Sequence, residues 1–185
     1  MKAKSAENSR TTITELMIPS YANFGGKIHG GILLSLMDKV AYATATKHSG
    51  AYCVTVSVDN VDFLQPVEVG ELVSMMASVN YVGNSSMIIG IKVIAENVKT
   101  GLVKHTNTSY FTMVAKNDDG SLMTVPSLIL NTKDDVRRFA EAVKRKQLRK
   151  GYQEQMEAEK SAFTFEKQKE LIVDQRCEVH IEEKK

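Results

Sequence analysis

"NFGGKIHGGILLSLMDKVA", residues 23–41, begins as a glycine-rich loop and ends as an apolar helix that carries a single carboxylate, Asp38. Gly25, Gly26, Gly30 and Gly31 let the backbone adopt turns and close approaches that other residues resist. From Ile32 to about His48, Leu33, Leu36, Met37, Val40, Ala41 and Thr44 recur at helical spacing. Leu34, Ala43 and Ala45 widen the apolar surface beyond one stripe, so the helix is expected to be buried on more than one side. An acid in such a helix is costly to desolvate without a partner. Either Asp38 has a chemical task, or it lies on a wet strip and pairs with Lys39 or a lysine of the tail.

Before this stretch, residues 1–10 are polar and expected to fray, and "TTITELMI" reads as a first strand ending at Pro19. After it, the pattern changes period. Val54, Val56 and Val58 alternate with Thr55, Ser57 and Asp59, and the apolar phase then moves to Val61 and Phe63, which implies a bulge near Asp59 and Asn60. "ELVSMMASVNYV", "MIIGIKVIAENV" and "LVKHTNTSYFTMVA" read as three further strands joined by the short turns "GNSS" and "KTG". One long helix followed by four strands predicts an α+β domain with an antiparallel sheet packed on that helix.

The 185 residues suffice for one domain with an appendage. Residues 1–130 carry 10 basic and 10 acidic side chains, whereas residues 131–185 carry 14 and 12. "TKDDVRRFAEAVKRKQLRKGYQEQMEAEK" is therefore read as a solvated, peripheral helix, with Arg137, Arg138 and Lys144 available to an anionic ligand. The resulting division is a flexible N-terminus over 1–10, a folded domain over 11–130 and a charged, partly helical extension over 131–185. Neither part has the one-signed surplus of a nucleic-acid footprint. Cys53 and Cys177 form no disulfide framework, and the four scattered His give no metal spacing. No run of about 18 apolar residues suggests a membrane span, and no signal-peptide pattern opens the chain. A cytoplasmic protein with no metal, nucleic-acid or membrane partner is expected.

Several pieces, in order, resemble the acyl-CoA hydrolase subgroup of the hotdog-fold thioesterases: "N..G...HGG.LLSLMD" from Asn23 to Asp38, then "VTVSVDNVDFLQPVEVGELV", "VGNSSM" and "YFTMVA". The resemblance covers about residues 11–130. It implies a sheet wrapped around the central helix, dimers with edge-to-edge sheets, active sites at the dimer interface, and further assembly to a trimer of dimers. It implies an acyl-CoA substrate and no cofactor, coenzyme A being part of substrate and product. Among its site residues it places Asn23 opposite Asp38 of the other subunit, the Gly30 and Gly31 amides at the thioester oxygen, and Gly83, Ser85 and Ser86 against the coenzyme. Lys39 stands where many members have a second acid.

Thioester hydrolysis needs a base or nucleophile, which Asp38 supplies, and donors aimed at the developing oxyanion, which a helix N-terminus supplies. Whether Asp38 attacks directly or activates water stays open. Plainer readings exist for each position: Asn23 as an Asx turn, Gly30 and Gly31 as a tight turn, Ser85 and Ser86 as turn formers, and His29 as a cap for the loop backbone rather than a base. Met75, Met76, Met87 and Met113 suit core or acyl-groove packing. The alternative function is a hotdog protein that binds acyl-CoA without cleaving it, as sensor or scaffold. A hydratase would call for a His and acid pair, of which only Asp38 is found.

Overall fold

A computed structural model describes residues 2–181. In chain order the elements are β1 (Lys4–Ser5), α1 (Ala6–Ser9), β2 (Thr11–Leu16), α2 (Gly30–Ser49), β3 (Tyr52–Val58), β4 (Glu71–Val82), β5 (Ser86–Asn97), β6 (Val103–Lys116), β7 (Leu128–Ile129), α3 (Lys133–Ala162) and α4 (Phe165–Ile172). The quoted stretch does run from loop into helix. At its start the His29 ring accepts the Gly31 N–H at 2.9 Å, and at its end Gly50, with φ +76°, turns the chain out through a 2.7 Å bond to the Thr46 carbonyl.

Five strands form one antiparallel sheet in the order β2-β4-β5-β6-β3, with a β4-β5-β6 meander at its centre. The strand after the helix, β3, sits at the far edge, so residues 59–70 must cross back to reach β4. Short turns alone do not predict that crossing. The sheet closes on α2: Leu33, Leu36, Met37, Val40 and Ala41 pack into one core with Met75 of β4, Ile89 and Ile91 of β5 and Phe111 of β6. Met37 is fully buried, and the side chain alone is worth about 1.5–3 kcal/mol of transfer free energy.

Four expectations change. The helix buries one broad face rather than several, because Leu34, Asp38 and Tyr42, four residues apart, line an exposed strip. The β3 irregularity falls at Val56, between the Thr55–Met113 and Ser57–Thr112 pairs, instead of near Asp59. With it Val56 and Val58 are turned to the surface. Residues 4–9, expected to fray, instead pair and cap: Lys4–Ser5 run parallel to Leu128–Ile129, and the buried Ser9 hydroxyl accepts the Val79 N–H at 2.9 Å.

The fourth change is the boundary of the folded unit, which extends to Val143 instead of residue 130. Ala142 is buried, Phe139 lies 5.2 Å from the Tyr81 ring, and buried Asp135 accepts the Asn131 and Thr132 N–H groups. Thr132 returns a bond to the Asp135 N–H, a reciprocal cap of 3.0 Å each way. Residues 144–185 form a second unit. Within it, α4 is capped by Thr164, and the Lys169 ammonium lies 4.6 Å from the Phe165 ring.

Candidate active site

Asp38 answers its own question by position, since it projects from the exposed strip of α2 toward edge strand β3. Thr55 donates its hydroxyl to Asp38 Oδ1 at 2.5 Å. No ion pair to Lys39 forms among the described residues. A cavity of about 330 Å³ opens beside this pair, lined by Asp38, Tyr42, Tyr52, Cys53, Val54, Thr55 and Met113. The Tyr42 and Tyr52 rings stand 6.2 Å apart, tilted at 60°. The site is thus half apolar, with one carboxylate whose second oxygen is left to solvent or ligand.

Thr55 is the residue missed in the sequence. It sits inside the quoted segment "VTVSVDNV" as one polar position of an alternating strand, and nothing in that alternation says that its hydroxyl meets a helix 17 residues earlier.

Asn23 forms the Asx turn of its plainer reading, and this orients it. Its Oδ1 accepts the Gly25 and Lys27 N–H groups at 2.9 and 3.2 Å, while its backbone N–H bonds Lys27 at 2.7 Å. With the oxygen consumed, the Nδ2 donors of this exposed residue face outward. Lys27 in turn pairs with Glu68 at 2.6 Å, and Ile28 bonds Val67 at 2.9 Å, so the loop is stitched to the turn before β4.

Gly30 and Gly31 begin α2. A Cβ at Gly31 would lie 3.0 Å from His29 Nδ1, and one at Gly30 would touch the Phe63 ring at 3.4 Å. The Gly31 N–H already serves His29, which matches the reading of His29 as a backbone cap and leaves the Gly30 amide as the freer donor.

Gly83, Ser85 and Ser86 build the β4-β5 turn: Gly83 N–H bonds the Ser86 carbonyl at 2.7 Å, and Ser85 carbonyl accepts the Ala115 N–H at 2.9 Å. Ser86 lies opposite Val114, which lies opposite Val54, the neighbour of Thr55. Two strand spacings, roughly 10 Å, therefore separate this turn from the Asp38 end of the sheet. Among the described residues no group of three His, Cys, Asp or Glu could hold a metal, and no helix is long and apolar enough to cross a membrane.

This geometry meets known proteins at several points. Residues 25–102 match the family described as the thioesterase superfamily. Protein VdlD of Helicobacter pylori is 44% identical over 148 residues, covering 80% of this chain and 84% of its own. An apo-hexameric acyl-CoA thioesterase superposes with a TM-score of 0.79 at 34% identity, covering 82% of this chain and 97% of that one. The acyl-CoA hydrolase of Staphylococcus aureus, solved with butyryl coenzyme A, coenzyme A and coenzyme A disulfide, gives 0.77 at 30% identity over 84% and 95%. The same hydrolase has been solved with alanine replacing an aspartate, an asparagine or a threonine, the asparagine variant with coenzyme A bound. The shared sheet, helix and sequence place this chain among the hotdog-fold acyl-CoA hydrolases: it belongs to the thioesterase superfamily.

Proposed function

We propose that the chain hydrolyses acyl-CoA to coenzyme A and a carboxylic acid, at sites that each take residues from two subunits. The observation that carries the shared site is the helix itself. Asp38 follows Gly30 by eight residues, which at 1.5 Å per residue puts roughly 12 Å between the carboxylate and the helix N-terminus of the same chain. One thioester carbon cannot lie about 3 Å from both. A second chain, packed across the exposed strip of α2 and the open edge of β3, brings its own Asn23 and Gly30 to the first chain's Asp38. The outward Val56 and Val58 and the Tyr42–Tyr52 pair supply apolar surface for that contact.

In this arrangement Thr55 holds Oδ1 of Asp38, leaving Oδ2 to act as general base or nucleophile. As base it takes the proton of a water whose oxygen attacks the carbonyl. The C–S bond then breaks, and the coenzyme thiolate leaves and is protonated. The partner subunit's contribution is two donors, Asn23 Nδ2 and the Gly30 N–H at the positive end of α2, aimed at the oxyanion. Gly31 joins them only when the His29 imidazole releases its N–H. Gly83, Ser85 and Ser86, on the same end of the sheet, are positioned to meet the coenzyme arm. The aspartate, asparagine and threonine replaced in the S. aureus hydrolase follow one another at the spacing of Asn23, Asp38 and Thr55, fifteen and then seventeen residues, which supports the same trio here. Assembly of dimers into a hexamer and a cytoplasmic setting, in keeping with two unpaired cysteines, complete the reading.

Subunit mixing tests it. Asn23→Ala and Asp38→Asn proteins, each impaired alone, should recover roughly a quarter of wild-type turnover after random exchange, because half the dimers then hold one intact site of two. No recovery after exchange verified by mass would show that both residues act within one chain.

A further inference from the structure

On the outer face of the sheet, away from the α2 core, a second cavity of about 180 Å³ lies between β4, β5 and the first turns of α3. Its floor is unusual in one respect. Asn80 is a bulge residue, the extra position between the Val79–Ile89 and Tyr81–Ile88 pairs, and the bulge aims its amide back over the sheet. The amide lies so close to Gly90 that a Cβ there would meet Asn80 Nδ2 at 2.1 Å. Only glycine leaves room for it.

A relay ties the amide to α3. Arg138 Nη1 donates to Ser78 Oγ at 3.2 Å, and an arginine can only donate. The Ser78 oxygen must therefore accept, and its own proton goes to Asn80 Oδ1 at 2.9 Å. That leaves Nδ2, with two N–H donors, making no hydrogen bond to a described residue, on a side chain only 6% exposed. The Nδ2 atom itself reaches solvent, so its two donors are open to an acceptor that enters the cavity. Around the same cavity stand Lys92, which forms no ion pair among the described residues, and Arg137 and Arg138. Asp134 and Glu141 neutralise two of these three cations, so one positive charge remains.

We propose that this cavity is a binding site for the phosphate group of an organic phosphate, separate from the Asp38 centre and independent of the reaction assigned to it. Donors from three elements, Asn80 of β4, Lys92 of β5 and Arg138 of α3, converge from different directions. They suit the tetrahedral oxygens of a phosphate better than a planar carboxylate. The volume equals about six waters' share of liquid, enough for a phosphate and the start of its ester, and Met76 offers that ester an apolar wall. The phosphate could come from the coenzyme handle of a substrate or from an unrelated organic phosphate, and the chemistry is the same.

Calorimetric titration of the full chain with inorganic phosphate tests the site, comparing the wild type with Asn80→Ala and Lys92→Met. Lys92 is exposed, so its variant folds even where the Asn80 variant does not. Saturable binding that weakens about ten-fold or more in the variants is expected. Sulfate should compete and acetate should not. Displacement of phosphate by coenzyme A but not by its 3′-dephospho form would assign the pocket to the coenzyme's own phosphate. Phosphate binding undisturbed by either would assign it to a separate ligand. Absence of saturable binding, or equal affinity in wild type and Lys92→Met, overturns the site.

Discussion

Two carboxylates in the same domain are treated in opposite ways. Glu71 is 5% exposed and fully engaged: one oxygen takes the Lys104 ammonium at 2.8 Å, the other the Glu68 N–H at 2.8 Å. Asp38 is exposed, forms no ion pair among the described residues, and is held through one oxygen by a neutral hydroxyl. A carboxylate that holds structure together has its charge and lone pairs answered, as burial demands. One proposed to act on a substrate keeps an oxygen unanswered, and the protein can leave it so because water meets it in the meantime. On this contrast the two acids should fail differently when replaced.

The largest effect should come from Asp38→Asn. Turnover is expected to fall at least ~10²-fold, the scale of a lost base or nucleophile, with the thermal midpoint scarcely moved because no buried partner is stranded. Near-normal turnover would remove Asp38 from the chemistry. Glu71→Ala should do the reverse: it strands Lys104, which keeps partial access to water, and the Glu68 amide, and should cost about 3 kcal/mol of folding stability in chemical denaturation. Should that variant unfold at the wild-type midpoint, the buried pair is not the anchor of the turn that holds Lys27 and the Asn23 loop.

Asn23→Ala should cost less turnover than Asp38→Asn, since in the proposed site the Gly30 amide still faces the oxyanion; a change in oligomer mass with intact kinetics would make Asn23 purely structural. Thr55→Val removes one hydrogen bond to a charged group, worth about 1.5–3 kcal/mol at most, and should lower kcat several-fold to about 10²-fold while leaving KM near its value. A rise in KM alone would assign Thr55 to substrate contact instead of to Asp38. The smallest effect should follow from ending the chain at Val143. The charged unit beyond it carries none of the named chemistry, so kcat and KM should both be unchanged. A chain ending at Ser127, by contrast, loses the partner of Lys4–Ser5, the Asp135 cap and buried Ala142, and should be measurably less stable.

What could be read beforehand follows the range of the forces involved. Helical spacing, strand alternation and glycine turns are local, and they located α2, the β4-β5-β6 meander and the exposed Asx turn at Asn23. The resemblance of ordered motifs carried Asp38 and the glycines. Non-local facts were not legible. The edge position of β3 depends on a crossing by residues 59–70, the Thr55–Asp38 bond on two elements meeting face to face, and the Asn80 amide on a bulge that no alternation announces. Charge dominates the composition from 131 on and points to a boundary at 130, yet within that charged run Ala142 is buried and Phe139 packs half-buried against Tyr81.

The pairing of β1 with β7 sets a timetable for making the protein. Ser5 bonds Asn131, 126 residues later, and Lys4 bonds Ser127. At ~5–20 residues per second, a ribosome needs about 6–25 s to deliver that second strand after the first has left it. The N-terminal strand must therefore wait through the synthesis of nearly the whole domain before the tie between the domain's two ends can form.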